Sequence, residues 1–593
     1  MSQIINDAFP RDFVCLSDLP ENAKTYVLHR RIGKRDVYMV YGVPKGSECF
    51  FRSSGKVELW DSWTGTNQPL DKIIQVSDGT KVSMPLEQYE AQLIVFDSDD
   101  QTAINKNIMT ISDVSDKSGI ISLDGQWEFE LKPTMDNTWG DYRLPAFDGM
   151  IVAEARIFKY IYESSSNQNW QDPKPDDSEW KQVTYSFGPY FWKLGPLPDD
   201  IDFSVIENQL ANLKHIDSAS SIEINGKSYF WKPYDFSMRL GIEGDPGHQG
   251  YHGLKGKVTD DFIALGKMKL THGGSVYEKE DDGSIYYLWT SVLAENEMQA
   301  RIVNGEAKPT KFWLNGVEME SDAEKSKLNS GSNPLLLRYD QPCRTHFILE
   351  SAEAPTDWKQ TYPLAMTWYN KPGILKFDVL PQDNKHAGWY RFTSPPGLRS
   401  MTVTCYGKIK AYVDGNEMDI KLEDQRDDGV SVYKAILPKP ASVPSKVAIR
   451  IEQESGYYGG SVLPEPITLD CVKGLIELDD WSKIDGLSCY SGGAWYRKNF
   501  ELSLNQTQGQ VILNLGNVVS TAEVHINGNL AGIKVTPPWK FDISDLVKQG
   551  ENLIEILVYN TLANHYLTIP TRYRGSLESG LIGPVRIEVN HVV

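Results

Sequence analysis

The chain has 593 residues, a net charge of −20 at pH 7 and a hydrophobic fraction of 40%. A chain of this length has room for roughly three to five domains. The negative charge argues against nucleic acid or an anionic membrane as a partner, because both repel an acidic surface. No stretch approaches the roughly 20 apolar residues of a membrane helix. We therefore expect a folded, multidomain protein with no nucleic-acid and no membrane partner.

The N-terminus has neither the basic nor the apolar segment of a signal peptide. This indicates either a cytoplasmic protein or a chain cut from a longer precursor. Residues 1–25 are expected to form an irregular segment, the remnant of a preceding domain. Residues 26–105 contain short alternating strands and a hairpin signal at Asp78-Gly79, a pattern that predicts a small antiparallel β-sandwich.

A second domain, a jelly-roll β-sandwich with long insertions, is predicted over residues 112–360. It opens with an alternating segment that places Trp127 and Phe129 on the same face of a strand. The larger of its Gly-, Pro- and Asp-rich insertions spans residues 241–284. Helical patterns are scarce throughout the chain, and one short helix is predicted near residues 205–213.

One pattern occurs three times: an apolar strand runs into a tight Asn-Gly or Asp-Gly turn, and a second apolar strand follows later. The turns are Asn315-Gly316, Asp414-Gly415 and Asn527-Gly528. They lie 99 and 113 residues apart, which is about the length of one β-sandwich. The chain is therefore predicted to be all-β, with several β-sandwich or jelly-roll (galactose-binding-like) domains in series, the last two at 361–474 and 475–593.

The six cysteines are scattered and contain no C-x-x-C pair. The pattern supports neither a zinc site nor a disulfide framework. A single bridge between Cys471 and Cys489 stays open. No cofactor and no metal site is predicted.

Several strings of residues resemble a known family. Residues 490–498, 524–528, 538–543 and 550–552 resemble the sugar-binding-like, galactose-binding-like jelly roll attached to many glycoside hydrolases. More specific strings lie upstream: Leu131-Lys132-Pro133-Thr134-Met135-Asp136-Asn137-Thr138-Trp139-Gly140-Asp141-Tyr142-Arg143-Leu144-Pro145, Glu154-Ala155-Arg156, Glu58-Leu59-Trp60-Asp61 with Thr64-Gly65, and His252-Gly253-Leu254-Lys255-Gly256. Together they resemble the C-terminal half of glycoside hydrolase family 106, the α-L-rhamnosidases, over nearly the whole chain.

In that family a (β/α) barrel precedes the β-modules and carries the catalytic glutamates and a bound calcium. This sequence starts near the end of the barrel, so the resemblance transfers no catalytic residue to it. The resemblance implies a non-catalytic, carbohydrate-associated region that binds or frames a rhamnose-containing glycan, or that scaffolds a catalytic barrel domain or chain supplied elsewhere. It also suggests a secreted or periplasmic protein. Two alternatives stay open: an active glycoside hydrolase with a site between domains, and a structural, adhesion-like array of β-sandwiches.

Trp139, Asp141 and Arg143 are the first candidates for substrate binding. An indole ring stacks on the flat face of a sugar, and carboxylate and guanidinium groups form paired hydrogen bonds. The same groups also build buried ion pairs at domain junctions, and the sequence favours neither interpretation.

Glu243, Asp245, His248 and His252 are the second candidates, on a Gly-rich loop. Loops held by a rigid scaffold often carry function, and glycines let a backbone approach a ligand closely. An ordered insertion packed on a neighbouring domain is the more ordinary interpretation. The i, i+4 spacing of the two histidines would suit a metal only on a helix, and the intervening glycines disfavour one.

Overall fold

A computed structural model describes most of the chain. The residues that it describes are 11–19, 24–70, 72–98, 119–138, 148–163, 169–174, 176–185, 191–216, 220–234, 262–271, 274–280, 283–294, 296–351, 376–378, 387–426, 429–454, 457, 459–568 and 576–590. The chain forms two compact units. Unit 1 comprises Met1–Asp124, Asn499–Ile556 and Gly583–Val593, and unit 2 comprises Gly125–Lys498 and Leu557–Ile582.

The chain is all-β, as the alternating patterns and turn residues predict. Its strands up to residue 162 are β1 (Phe13–Cys15), β2 (Tyr26–Ile32), β3 (Arg35–Tyr41), β4 (Glu48–Phe51), β5 (Lys56–Trp60), β6 (Asn67–Pro69), β7 (Ile73–Val76), β8 (Gly79–Ser83), β9 (Gln92–Asp97), β10 (Gly119–Ser122), β11 (Trp127–Pro133), β12 (Ala153–Ala155) and β13 (Ile157–Tyr162). From there to residue 378 they are β14 (Lys181–Thr184), β15 (Trp192–Leu197), β16 (Ser221–Ile224), β17 (Lys227–Phe230), β18 (Lys232–Pro233), β19 (Phe262–Ala264), β20 (Lys267–Thr271), β21 (Gly274–Glu278), β22 (Ile285–Ala294), β23 (Met298–Glu306), β24 (Lys311–Leu314), β25 (Val317–Met319), β26 (Lys325–Leu328), β27 (Gly331–Tyr339), β28 (Arg344–Ser351) and β29 (Lys376–Asp378).

The remaining strands are β30 (Ala387–Thr393), β31 (Leu398–Cys405), β32 (Gly407–Val413), β33 (Asn416–Glu417), β34 (Asp419–Gln425), β35 (Ser431–Ala441), β36 (Lys446–Gln453), β37 (Ile467–Cys471), β38 (Gly474–Ile476), β39 (Gly492–Leu502), β40 (Gln510–Asn514), β41 (Asn517–Val519), β42 (Thr521–Ile526), β43 (Asn529–Lys534), β44 (Lys540–Asp542), β45 (Gly550–Tyr559), β46 (Gly580–Gly583) and β47 (Arg586–Asn590). The described residues hold one α-helix, α1 (Ser204–Ala211), where the sequence predicts it. Short 3-10 helices are Gly459–Val462, Trp481–Lys483, Asp485–Leu487, Gln506–Gln508 and His565–Thr568.

Unit 1 contains a small antiparallel β-sandwich near the N-terminus. Its two sheets have the strand orders β1-β4-β8-β7 and β2-β3-β9-β5-β6. Both contribute to one core, in which Tyr38 and Phe96 from one sheet pack with Phe51 from the other. Unit 1 also holds the sheet β10-β47-β40-β44 and the neighbouring strands β45-β42-β43.

The expectation that residues 1–25 are irregular is wrong for Phe13–Cys15. These residues form β1, which pairs antiparallel with β4. The Phe13 ring lies edge-on to Phe51, with ring centres 5.1 Å apart, so β1 belongs to the small sandwich. A three-residue strand is too short to show alternation in a sequence, because its period of two is sampled only once.

Unit 2 is built around a long sheet with the strand order β18-β15-β22-β27-β24-β25. Its central strand β22 is apolar at nearly every position, and both faces are buried. Tyr286, Leu288 and Val292 face one core. Tyr287 and Trp289 face another, which α1 helps to cover. A strand buried on both faces reads as a continuous apolar run rather than as an alternation.

The other sheets of unit 2 are also antiparallel. Their strand orders are β12-β37-β31-β35-β34, β14-β13-β30-β36-β32-β33, β19-β28-β23-β26, β16-β17, β20-β21 and β38-β11-β39. Several pair strands that are distant in sequence: β13 pairs with β30 and β11 with β39. In unit 1, β10 likewise pairs with β47. Strands from the beginning of the segment 112–360 thus complete sheets whose other strands come from much later in the chain.

The three repeated turns form as predicted. The backbone φ angles are 54° and 77° at Asn315-Gly316, 47° and 81° at Asp414-Gly415, and 52° and 81° at Asn527-Gly528. Positive φ at both central residues defines the type I′ turn, which Asn-Gly and Asp-Gly favour. A fourth turn of this kind, Asn225-Gly226 between β16 and β17, escaped the sequence analysis.

The described residues contain neither a membrane-spanning helix nor a cluster of metal ligands. No helix among them is long and apolar enough to cross a membrane. Nor does this part of the chain bring together three or more His, Cys, Asp or Glu side chains that could hold a metal ion.

Candidate functional site

A cavity of about 290 Å³ lies within unit 1, at one end of the small sandwich. This volume is at the lower limit of the roughly 300–1,000 Å³ typical of small-molecule sites, so the cavity would hold no more than one small ring or sugar unit. Its lining combines aromatic, acidic, amide and basic side chains. Those that matter for recognition are Trp60, Asp61, Trp63, Gln68, Glu90 and Lys534, and Pro537 and Pro538 complete the wall.

The turn between β5 and β6 positions the two indoles. The backbone is closed by hydrogen bonds from the Asp61 N–H to the Thr66 carbonyl (2.8 Å) and from the Gly65 N–H to the Asp61 carbonyl (2.9 Å). The carboxylate of Asp61 accepts a further bond from the Trp63 N–H at 2.7 Å. Side-chain bonds of this kind stabilise tight turns, so Asp61 fixes the backbone at Trp63, whose side chain lines the cavity.

Trp60 is fixed from outside the turn. Its indole N–H donates to the carboxylate of Glu58 at 3.0 Å. The guanidinium carbon of Arg35 lies 5.6 Å from the Trp60 ring centre, a distance typical of a cation–π contact. The ring is therefore held rigidly before any ligand arrives.

Lys534, the last residue of β43, brings a positive charge to the cavity. Its Nζ donates to the Pro538 carbonyl at 2.9 Å and lies 5.1 Å from the Trp63 ring centre and 5.4 Å from that of Phe541. Burial lowers the pKa of Lys534, and the carboxylates of Asp61 and Glu90 oppose this shift. A partly dehydrated ammonium group is a strong hydrogen-bond donor to a ligand oxygen.

Glu90 supplies the cavity with a carboxyl group whose pKa is raised. Burial raises its pKa, and the neighbouring carboxylate of Glu87 raises it further, while Lys540, Lys534 and Lys45 lower it. The cavity therefore holds one acidic group with a raised pKa, a second carboxylate at Asp61, and an ammonium group. Together with two indoles, these groups offer both stacking surfaces and hydrogen-bond partners for hydroxyl groups.

The structure does not describe the residues that the sequence predicted for the site. Trp139, Asp141 and Arg143 lie outside the described residues, and so do Glu243, Asp245, His248 and His252. The interpretations of both groups stay predictions. The last described residue before the first group is Thr138, which donates a hydrogen bond to Asp136.

Trp60 and Asp61 belong to a string that carries the family resemblance, but the sequence assigned them no role. Trp63, Glu90 and Lys534 were not predicted from the sequence. The signal within the sequence is a Trp-Asp-x-Trp turn between two short strands. Nothing in the sequence joins that turn to Lys534, which is more than 450 residues away.

Two other polar clusters, both in unit 2, serve the fold. Arg156 is fully buried and donates to the Glu154 carboxylate at 2.8 Å and to the His565 carbonyl at 2.9 Å. Arg391 is also buried, donates to the Trp170 carbonyl at 2.8 Å and lies 4.8 Å from the Trp180 ring centre. These groups satisfy one another in the interior, so neither cluster has the open geometry of a binding site.

Comparison with known proteins gives partial similarities. No family model matches the chain. A stretch of 95 residues, 15% of the chain, is 36% identical to a protein of Formosa agariphila named "Putative beta-glucuronidase", of which it covers 8%. The chain thus spans under a tenth of the length of that curated relative. Over this stretch the protein is similar to a glycoside hydrolase.

Three solved structures with partial similarity to this chain are named as rhamnosidases or as a β-glucuronidase. A rhamnosidase from Novosphingobium sp. PP1Y is 19% identical, with a TM-score of 0.18 over 36% of this chain and 23% of that one. An α-L-rhamnosidase from Streptomyces avermitilis, complexed with L-rhamnose, is 13% identical, with a TM-score of 0.12 over 47% of this chain and 35% of that one. A β-glucuronidase from an uncultured Clostridium sp. is 20% identical, with a TM-score of 0.17 over 20% and 23%.

Proposed function

We propose that this chain is a carbohydrate-binding, β-sandwich region of an α-L-rhamnosidase-like glycoside hydrolase that acts in polysaccharide degradation. In this proposal the cavity lined by Trp60, Trp63 and Lys534 holds one sugar unit of a rhamnose-containing glycan. Family 106 membership, a galactose-binding-like jelly roll at residues 475–593 and a catalytic barrel as partner are parts of the same proposal. The sequence strings that resemble the family support them.

The observation that carries the proposal is the composition and rigidity of the cavity. Sugars present an apolar C–H face and a rim of hydroxyl groups, so a protein binds them with aromatic rings and with charged or amide groups. Trp60 and Trp63 supply the rings, and Asp61, Glu90 and Lys534 supply partners for hydroxyls. Because Glu58 already holds the Trp60 indole and Lys534 contacts the Trp63 ring, less side-chain entropy is lost on binding.

Binding of rhamnose-containing oligosaccharides, followed by tryptophan fluorescence or saturation-transfer NMR, tests the proposal. The variant Trp63→Ala removes one stacking surface from the cavity. Aromatic contacts of this kind are worth about 0.5–1.5 kcal/mol, so we expect affinity to fall by up to about tenfold.

The matched control is Trp495→Ala, which removes another half-buried indole from outside the cavity. It should leave glycan affinity unchanged. Unaltered affinity in both Trp60→Ala and Trp63→Ala would reject the cavity as the binding site. If the wild-type protein binds a glucuronide but no rhamnose-containing glycan, the proposed ligand would be replaced by a glucuronide, in line with the name of the Formosa agariphila relative.

Hydrolysis at the cavity is the second candidate function, and the raised pKa of Glu90 favours it. Glycoside hydrolysis needs one carboxyl group that stays protonated as an acid and a second that is ionised. Glu90 and Asp61 line the same cavity. Turnover of an aryl α-L-rhamnoside that is lost in Glu90→Gln, with glycan binding retained, would establish this function. Absence of turnover by the wild-type protein would leave binding as the function.

A further inference from the structure

Two cysteines that the sequence separates by 34 positions lie opposite each other in the small sandwich. Cys15 is the last residue of β1, and Cys49 lies on β4; the register of the two antiparallel strands pairs them directly. Cys49 is fully buried in the core, whereas Cys15 is half-buried at its edge.

The backbone hydrogen bonds next to Cys15 and Cys49 show whether the two residues form a hydrogen-bonded or a non-hydrogen-bonded pair of the ladder. The Leu16 N–H donates to the Glu48 carbonyl at 2.8 Å, and the Arg52 N–H donates to the Asp12 carbonyl at 2.9 Å. Hydrogen-bonded pairs alternate with non-hydrogen-bonded pairs along an antiparallel ladder. Cys15 and Cys49 are adjacent to the pair of Leu16 and Glu48, and are therefore a non-hydrogen-bonded pair.

This pair type has the spacing of a disulfide. Opposite Cα atoms in a non-hydrogen-bonded pair lie about 4.5 Å apart, within the range of roughly 4.4–6.8 Å found across disulfides. The side chains of such a pair point to the same face of the sheet. In agreement with this, the two thiols interact: burial raises the pKa of the Cys49 thiol, and the adjacent Cys15 raises it further.

The two other cysteines that lie on paired strands, Cys405 and Cys471, do not face a thiol in this way. Cys471 lies opposite Leu398, and Cys405 lies opposite Ser431. All six cysteines are free thiols in the structure, Cys15 and Cys49 as well as Cys471 and Cys489, the pair that the sequence left open. The sheet register therefore favours one pairing among the six cysteines.

We propose that Cys15 and Cys49 are a disulfide-forming pair that covalently joins β1 to β4 when the protein meets a small-molecule disulfide oxidant. The Cys15 thiolate, the more accessible of the two, attacks one sulfur of the oxidant and releases a first thiolate. The Cys49 thiolate then attacks the Cys15 sulfur of the mixed disulfide and releases a second. The two protons of the cysteines end on the two released thiols, and the two electrons reduce the oxidant.

The bond closes a loop that contains β2 and β3. It would tie down the short strand β1, which pairs only with β4 among the described strands of its sheet. Because a cross-link between distant positions restricts the unfolded chain, the oxidised small sandwich should unfold at a higher temperature than the reduced one. The burial of Cys49 should make closure slow near neutral pH, since the thiolate is the reactive form.

The experiment equilibrates the full-length protein with oxidised glutathione or with a reducing dithiol, then denatures and alkylates it for mass spectrometry. We expect six alkylated cysteines after reduction and four after oxidation, with the peptides of Cys15 and Cys49 linked. The oxidised protein should also show a higher melting temperature in the transition of the small sandwich.

Cys15→Ser is the informative variant, because its half-buried site tolerates the change better than the buried Cys49 does. It should show five alkylated cysteines under both conditions and no melting difference. Cys471→Ser, the matched control, should still form the linkage. Six alkylated cysteines after oxidation, a glutathione adduct on Cys15 without linkage, or a link between Cys471 and Cys489 would each overturn the proposal.

Discussion

The ammonium nitrogen of Lys534 lies 5.1 Å from the centre of the Trp63 ring. This contact joins the turn after β5 to the end of β43 across the cavity of unit 1. It also places a cation where water is partly excluded, and burial lowers the pKa of Lys534 for that reason. The protonation of Lys534 therefore affects both the stability and the binding properties of the cavity.

The pKa of Lys534 is expected to fall below its ordinary value of 10.5. At a pH between the lowered pKa of the folded chain and 10.5, Lys534 is more protonated in the unfolded chain than in the folded one. The contribution of Lys534 to the free energy of unfolding therefore rises with pH across this window. At neutral pH the buried charge destabilises the fold. NMR titration of the lysine side-chain carbons measures the pKa directly.

The variant Lys534→Met keeps an apolar stem of similar length but removes the charge. The difference in free energy of unfolding between the variant and the wild type should favour the variant most at neutral pH. This difference should diminish above the pKa of Lys534. A lysine that titrates at or above 10.5, with no such pH dependence in the variant, would contradict the burial of this group.

Glu90→Gln is expected to stabilise the protein at neutral pH. The raised pKa of Glu90 means that its ionised form is less favourable in the folded chain than in the unfolded one. Stability from this group is greatest below the ordinary value of 4.5 and falls as pH rises through the folded pKa. Thermal melts at pH 4 and pH 7 should show the gain only at pH 7. Glu501→Gln, at an exposed carboxylate on β39, is the control and should show no comparable gain.

Glu154→Ala should be strongly destabilising. It leaves the fully buried guanidinium of Arg156 without the carboxylate that it contacts at 2.7 Å. Breaking a buried pair from one side typically costs about 3–5 kcal/mol. The control is Glu297→Ala, which breaks an exposed pair with Lys327 and should cost at most about 1 kcal/mol. Chemical denaturation of both variants compares the two costs, and equal costs would mean that Arg156 finds other partners or water.

Asn552→Ala and Asn333→Ala should have similar effects at equivalent places in two sheets. The Asn552 side chain accepts from Asn527 at 2.9 Å and donates to the Lys548 carbonyl at 2.7 Å. The Asn333 side chain accepts from Asn315 at 2.9 Å and donates to the Asn329 carbonyl, also at 2.9 Å. Both residues are buried, so each alanine leaves polar groups unsatisfied.

We expect each of these substitutions to cost on the order of 1–3 kcal/mol in the free energy of unfolding. Denaturant titration measures both. The control is Asn529→Ala, which affects an exposed side chain next to the same turn and should change stability little. If Asn552→Ala lowers the free energy of unfolding and Asn333→Ala does not, the same hydrogen-bond geometry does not stabilise both sheets.

A fragment of residues 475–593 should not fold cooperatively unless residues 119–133 are fused to it. The sequence predicts this segment as the last domain of the series. In the structure, β10 pairs with β47, and β11 pairs with β39. The Phe129 ring on β11 packs edge-on against Tyr496 at 5.3 Å and Trp481 at 5.9 Å.

Without β10 and β11, strand edges and aromatic core residues of the fragment are left exposed. Circular dichroism melts and amide dispersion in NMR spectra should distinguish the fragment from the fusion protein. A cooperative transition in the fragment alone would show that these strands add little to its stability.

The sequence by itself determined the local structure of this protein. Asn-Gly and Asp-Gly turns at Asn315, Asp414 and Asn527 require positive φ at two successive residues, and few other pairs supply it. Alternation at Trp127 and Phe129 places both side chains in a core, because the side chains of a strand point to opposite faces with a period of two.

Only the tertiary structure decided which strands become neighbours and which side chains meet. Backbone hydrogen bonds between strands are alike for all sequences, so the local pattern of β11 does not specify that it pairs with β39. The same limit hid the cavity, where Trp63 meets Lys534, and the pair of Cys15 and Cys49. These contacts depend on the register of strands distant in the chain, which is set by the packing of the whole core.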